Sequence, residues 1–336
     1  MEDRWVISLG AGHEQIPLIR AIQAEGYMCL AFDKDEAAPG FKVADSSFRG
    51  ISNRDVGEMI RAIEGGCWTH GSNSRIAGVM AAASEVPDVM AILGHRLGCQ
   101  NIPVSAGMLL KDKLRYKEVL KAAGVPHTEA HVVYEGSAKE LFDRLKYEVV
   151  VKPQRGSGSR GVTINRHNPM ALSIDVLNAE AVCPDVIMER YEAGPQISSE
   201  TLIWDGMAVT VAFVERFYEE DSVKEHGGCM PTKYDHLKGQ CNLMIRAAAE
   251  ALGITRGTLK CDLVLAKDGP KIIECTARLS GGPLSEIVKR SSGVDYLRQA
   301  VRLACGDDPI MDELLPKKRE FVSVDMKGNE LEWTCV

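Results

Sequence analysis

The chain has 336 residues, 45% hydrophobic and 26% charged, the composition of an ordinary soluble globular protein. That length exceeds what one hydrophobic core holds, so two or three packed units are expected. Lysine plus arginine total 40 against 47 aspartate plus glutamate, and the net charge of -7 argues against sequence-independent nucleic-acid binding. Met1-Glu2-Asp3-Arg4 runs directly into apolar residues with no basic leader, and no apolar run approaches the roughly 18 residues of a membrane span. Ten cysteines are scattered singly without a Cys-x-x-Cys pair, so they read as reduced thiols rather than a disulfide frame or zinc site. A cytoplasmic protein with no membrane partner is expected.

Residues 5–9 read as a buried strand, and Gly10-Ala11-Gly12 turns into a helix closing near Gly26. Residues 27–32 form a second expected strand and 67–70 a third, ahead of an alanine-rich helix after Ser72. Strand-helix alternation at this spacing implies a parallel sheet with helices on both faces, running to about residue 105. A lysine-rich helix over 112–123, capped by Asp112, precedes a strand at 129–133, a helix at 137–145 and a strand at 148–152. After a glycine-serine loop come a return strand at 162–165, a helix at 169–179 and a strand at 186–189. Beyond Gly194-Pro195 the pattern changes to long, mostly antiparallel strands at 197–204, 207–217, 259–266 and 271–276, interrupted by a helix at 238–252.

The strongest chemical signal is the β-branched run 149–151 ending in Lys152, then Pro153-Gln154-Arg155-Gly156-Ser157-Gly158-Ser159-Arg160-Gly161. Glycines let successive backbone amides close on an anion, serines add hydroxyl donors, and Lys152 and Arg160 add charge. The spacing excludes a P-loop, which needs Gly-Lys-Ser/Thr opening a helix. Here Val162-Thr163-Ile164 follows, so the loop is the tip of a hairpin that cradles phosphate. The plain alternative is a flexible surface hairpin.

A second constellation is Lys260-Cys261-Asp262, then the turn at 267–270, then Glu274-Cys275-Thr276-Ala277-Arg278. Alternation puts Glu274, Thr276 and Arg278 on one strand face and Lys260 and Asp262 on one face of the neighbour. Pro270 disfavours a two-residue Asp268-Gly269 turn, and a longer loop or bulge sets Asp262 opposite Thr276 with Glu274 diagonal. Convergent carboxylates suit magnesium bridging to nucleotide phosphates.

These two constellations, in this order, resemble the ATP-grasp superfamily of the carboxylate-amine ligase type, with a layout similar to carbamoyl-phosphate synthase and biotin carboxylase. The resemblance covers nearly the whole chain. It implies a mixed α/β and α+β protein: a Rossmann-like pre-ATP-grasp unit over 1–105, a small ATP-grasp subdomain over 106–187 carrying the loop, and a large subdomain over 188–336 carrying the metal and substrate sites. It implies ATP between the two subdomains, with Lys113 and Lys152 as nucleotide lysines. Glu189, Arg190 and Tyr191 become the hinge beside adenine, with Glu200 as a ribose ligand where Gln196 occupies the usual acidic slot. Asp262 and Glu274 match the family's carboxylates for magnesium (or manganese), and Arg278 the arginine that steadies the transferring phosphate. Thr276 stands where the family commonly has an asparagine ligand; its hydroxyl can still serve as the third ligand to magnesium or hold a ligated water, with a second metal ion bound more weakly. A homodimer is in keeping with many relatives.

Two segments bear on the substrates, a small-molecule carboxylate and an amine. Residues 225–231 read as a long loop beside the acceptor, with His226 a candidate base and an ordinary loop histidine the equal alternative. Ser280, Gly281 and Gly282 read as opening a helix after Arg278, whose free amides suit a carboxylate. Gly10-Ala11-Gly12 with Asp33 only partly imitates a dinucleotide fingerprint, because Gln15 stands where its third glycine belongs. The expected activity is an ADP-forming ligase working through an acyl phosphate. A small-molecule kinase on the same scaffold is the alternative, with a nicotinamide oxidoreductase or a catalytically silent nucleotide binder behind it.

Overall fold

The computed structural model describes residues 4–65, 74–219, 222–327 and 330–335. The first sheet is parallel, in the order β3-β2-β1-β4, from β1 (Arg4–Leu9), β2 (Met28–Asp33), β3 (Ser46–Arg49) and β4 (Arg75–Met80). Strands β1, β2 and β4 are buried on both sides, whereas β3 at the edge is Ser46-Ser47-Phe48-Arg49 and only partly buried. Trp5, Ile7 and Leu9 join one core with Phe213, Leu259 and Cys261, while Val6, Cys29 and Ala77 join another with Leu202, Trp204 and Val301. The first unit therefore shares its two large cores with the strands of the third sheet, while Ala11, Ala31, Ala38 and Phe41 form a small cluster of its own.

The expected strand at 67–70 lies outside the described residues. The expected helix after Ser72 is corrected: Ile76, Ala77, Val79 and Met80 are buried in β4, and the helix begins only at Pro87 (Pro87–Arg96). A contiguous buried apolar run suits a parallel strand covered on both faces, and Pro87 at the first turn sets the later helix start. Asp33, at the end of β2, has a structural role. Its carboxylate accepts from Ala11 N (2.9 Å) and locks the turn after β1.

The second sheet is antiparallel, in the order β5-β8-β6-β7, from β5 (Ala130–Val133), β6 (Val149–Pro153), β7 (Thr163–Asn165) and β8 (Val186–Arg190). It has its own core around Val149, Val151, Leu172 and Met188. The hairpin expected around the glycine-serine loop is present, with Val151 paired to Thr163. Asp112 caps the helix Lys113–Ala122 by accepting from Leu114 N and Arg115 N, and its carboxylate also holds Gln154 Nε2. With Lys113 N donating to Gln154 O (3.1 Å), the helix start is fastened to the end of β6.

The third sheet is antiparallel with the order β13-β12-β9-β10-β11-β14-β15. It comprises β9 (Gln196–Trp204), β10 (Met207–Tyr218), β11 (Glu225–Met230), β12 (Gly257–Ala266), β13 (Gly269–Thr276), β14 (Val322–Lys327) and β15 (Glu330–Cys335). The long loop expected at 225–231 is corrected to strand β11. Gly227 and Gly228 lie so close to Val324 O and Glu215 O that a side chain would collide, which is why a glycine-rich stretch belongs in a sheet here. The β12–β13 register is also corrected. A two-residue turn at Lys267-Asp268 pairs Ala266 with Gly269, and a bulge after Asp262 sets it directly opposite Glu274 rather than Thr276. The helix after Arg278 opens at Leu284 (Leu284–Ser292), two residues beyond Gly282.

Candidate active site

A cavity of about 410 Å³ lies between the second and third sheets, within the usual range for small-molecule sites. At its inner end Lys152, from β6, reaches Glu189 Oε1 on β8 at 2.7 Å, both residues nearly fully buried. Lys117 reaches the same oxygen from the helix Lys113–Ala122 at 2.9 Å. Thr128 Oγ1 donates to the other Glu189 oxygen at 3.0 Å, and Lys117 Nζ also contacts that hydroxyl. Burial brings the Lys117 ammonium down to about 8, although Glu189 opposes this. Burial would raise Glu189, but Lys117 and Lys152 outweigh it and hold the carboxyl below its ordinary value. Val150, Val162, Ile164, Val264 and Ile273 supply apolar walls beside these charges.

The amides of Arg190 and Tyr191 already donate to Glu129 O (2.9 Å) and Glu148 O (2.8 Å). Both amides expected to read the base are therefore committed to neighbouring backbone. Glu200 is not on the cavity wall: it is buried behind it, accepting from Ser280 N at 3.3 Å, and burial lifts its carboxyl to about 7. Just beyond Tyr191 the cavity is lined by a second acidic side chain, Glu192, held by Lys271 at 2.8 Å.

The glycine-serine loop lines the cavity from Gly156 to Arg160. Gly158, Ser159 and Gly161 have positive φ (+65°, +54° and +68°), so the loop turns sharply through the left-handed region that glycine favours. Gly161 packs so closely that a Cβ there would lie 2.6 Å from Asn178 O. Lys113 Nζ donates to Gly156 O (2.9 Å) and pairs with Glu274 Oε1 (3.1 Å), so it joins the loop to the third sheet.

Asp262 and Glu274 face each other across β12 and β13, and both line the cavity. Lys260 Nζ lies 2.5 Å and Arg216 Nη1 3.0 Å from Asp262 Oδ1, with Ser198 Oγ also donating. Burial would raise the Asp262 carboxyl, but Lys260 and Arg216 outweigh it and hold it well below the usual range. Glu274 is lowered likewise, chiefly by Lys113 against its burial. Among the described residues no three His, Cys, Asp or Glu side chains converge on a common point. Two opposed carboxylates with only oxygen donors nevertheless fit a magnesium ion, which keeps waters and phosphate oxygens for its other positions. Thr276 is turned away: its hydroxyl donates to Glu85 Oε1 at 2.5 Å.

Arg278 lines the cavity with Nε donating to Glu85 Oε2 (3.1 Å) and Nη1 to Leu279 O (3.1 Å). Ser280 and Gly281 are on the wall, but Gly282 is not. With its amide on Glu200, Ser280 does not offer the free N–H expected of it. His226 is on β11 with Nδ1 3.3 Å from Asp325 Oδ1, outside the cavity wall. Its neighbour Glu225 faces the cavity and grips Arg216. Alternation along an unforeseen strand exchanged the two residues.

The ATP-grasp domain family model matches residues 110–282, half of the chain. The chain belongs to the ATP-grasp family. Among its relatives is the carbamoyl phosphate synthase large chain of Pseudarthrobacter chlorophenolicus, 26% identical over 276 residues. That match covers 77% of this chain but only 23% of the relative. Two solved structures share the fold. One is the biotin carboxylase domain dimer of 2-oxoglutarate carboxylase from Hydrogenobacter thermophilus, in complex with MgADP, ADP and bicarbonate (TM-score 0.78, 19% identity, 97% of this chain and 74% of that one). The other is an L-amino acid ligase from Bacillus licheniformis (TM-score 0.76, 18% identity, 97% and 79%). ATP-grasp ligases use ATP and magnesium. These relatives are synthases, carboxylases and ligases, so the kinase alternative is not carried forward.

Within the ATP-grasp match lie Lys113, the loop, Glu189, Asp262, Glu274 and Arg278, all of which reach the cavity. Sequence reasoning missed Lys117, Glu192, Arg216, Glu225 and Glu85. Lys117 carried a readable signal, since it lies one helical turn beyond Lys113 on the same face. Glu85 carried none, because a contact 193 residues away along the chain, to Arg278, is visible only in the fold.

Proposed function

We propose that the protein is an ADP-forming carboxylate–amine ligase. The observation carrying this reading is Lys113, one cation bonded to both Gly156 O of the phosphate loop and Glu274 of the carboxylate pair. A nucleotide laid along the apolar wall brings its phosphates to that junction, between the loop amides and Arg278. A substrate carboxylate oxygen then attacks the γ-phosphorus, the bond to the β-phosphate bridging oxygen breaks, and ADP leaves with an acyl phosphate formed. An amine attacks the acyl carbon, phosphate departs, and the amine's proton passes to solvent or to a carboxylate at the cavity mouth.

Catalysis in this reading is positioning and charge neutralisation, as in phosphoryl transfer generally. Lys113, Lys152, Lys260 and Arg278 supply fixed positive charge, and the loop excludes water from the acyl phosphate. Asp262 and Glu274 would hold magnesium, or manganese in its place, which neutralises phosphate charge when bound. Thr276, committed to Glu85, falls outside that ligand set.

The proposal extends to the division of the chain at about residues 105 and 187, to a homodimer like that of the biotin carboxylase neighbour, and to a cytoplasmic setting. Nine free thiols among the described residues favour a reducing compartment. The test is phosphate and ADP release from Mg-ATP across a panel of carboxylates and amines. Release that needs both partners supports a ligase, and a phosphorylated product accumulating with one acceptor sinks it.

A further inference from the structure

Glu85 precedes the ATP-grasp match and is absent from the cavity wall, yet it holds Thr276, the last residue of β13, and Arg278 just beyond it. Its Oε2 accepts from Arg278 Nε at 3.1 Å and its Oε1 from Thr276 Oγ1 at 2.5 Å, with the residue only 8% exposed. The turn presenting it is fixed from several sides. Ala82 forms a parallel bridge with Leu279, through Ala83 N to Leu279 O and Leu279 N to Ala81 O at 3.1 Å each. Lys111 Nζ donates to Glu85 O at 3.0 Å. Ala83 is held at φ +57°, an uncommon conformation for a residue with a Cβ, and Gly281 packs against it too closely to accept a side chain.

The arrangement determines which donors Arg278 presents. Of five guanidinium N–H groups, Nε–H is on Glu85 and one Nη1–H is on Leu279 O, which leaves the remaining edge for the cavity that Arg278 lines. Without Glu85 the Nε edge would lose its only charged anchor among the described contacts, and a buried arginine would reorient toward Asp262 or Glu274. Resting on the ligase reading, we propose that Glu85 is a positioning residue. It reaches across from the first unit to aim Arg278 at the transferring phosphoryl group and to hold Thr276 out of the metal shell. The first unit is thereby part of the catalytic apparatus.

The test compares the full chain with Glu85→Ala, Glu85→Gln and Thr276→Val. With the best carboxylate–amine pair from the release screen, E85A should lose about 100-fold in kcat, the scale of a misplacement near 1 Å, while KM for ATP and calorimetric Mg-ATP binding stay within about threefold. E85Q, which keeps an acceptor for Nε–H, should recover about a tenth of wild-type kcat. Thr276→Val should lose no more than a few-fold, because Arg278 keeps its anchor. Independently of turnover, the Arg278 Nε–H resonance, assigned by its loss in Arg278→Lys, should be slow to exchange in wild type and lost or fast in E85A. An E85A protein with unchanged kcat, or with the resonance still protected, overturns the positioning role. So does a parallel loss of ATP binding in E85A and E85Q. Wild-type protein that neither binds Mg-ATP nor releases ADP instead overturns the ligase reading, and the resonance still decides the role of Glu85.

Discussion

Asp262 stands directly opposite Glu274 across β12 and β13, and separate sets of cations hold the two carboxylates: Lys260 and Arg216 for the first, Lys113 for the second. Two like charges at that spacing repel, and the surrounding cations keep both ionised, ready for a divalent ion. Glu274→Gln should therefore lower ADP release about 100-fold or more. It should also remove the magnesium dependence of nucleotide binding, which calorimetry with and without the ion reads. Equal binding gain from magnesium in wild type and variant would count against the pair as metal ligands.

Two lysines on one buried glutamate leave an excess positive charge. Lys117 is brought down to about 8, below the ordinary lysine value carried by the unfolded chain. Between about 8 and 10.5 the unfolded chain holds this proton while the folded chain releases it, so this group makes stability rise with pH there. Lys117→Met leaves a one-to-one Lys152–Glu189 pair. Urea unfolding at pH 7 should show it no less stable than wild type, and the rise toward pH 10 should be flattened. A loss of several kcal/mol at pH 7 would mean that Lys117 is a net stabiliser.

Glu200 works with the opposite sign. Its folded value, about 7, lies above the ordinary 4.5, so the folded state keeps the proton longer as pH rises. The contribution is present below about 4.5 and is lost as pH rises toward and through 7. Glu200→Gln, which removes the titration but keeps an acceptor for Ser280 N, should be as stable as wild type at about pH 4, below the ordinary value. At pH 8 it should be more stable by about 1–3 kcal/mol. Identical pH–stability curves would remove Glu200 as the source.

The loop glycines should separate backbone strain from packing. Gly158→Ala meets nothing within 4 Å and strains only a positive φ, so it should cost about 1 kcal/mol. Gly161→Ala strains φ and also drives its Cβ against Asn178 O, so thermal unfolding should place it clearly below Gly158→Ala. Equal melting temperatures would contradict the close approach.

Much of this site was legible in the residues. The Lys152-to-Gly161 hairpin announced itself because a β-branched run and a glycine-serine cluster followed by a second β-branched run are local signals. Asp262, Glu274 and Arg278 followed from alternation. The register did not: a bulge after Asp262 shifts it by one residue, and no local preference marks a bulge. Residues 225–231 misled because glycine suggests a loop, whereas here it lets β11 lie close to β10 and β14. Glu85 and Glu192 were invisible because ordinary carboxylates acquire roles only through distant partners, Arg278 and Lys271, and Glu225 because its partner Arg216 comes beside it only when β10 and β11 pair.

The most direct test of the central claim is phosphate release from Mg-ATP by the wild-type chain, measured against carboxylates and amines alone and paired, with Lys113→Ala alongside. Release should require both a carboxylate and an amine and should fall at least about 100-fold in Lys113→Ala. Release unaffected by that substitution, or no binding of Mg-ATP by the wild-type chain, would contradict that claim.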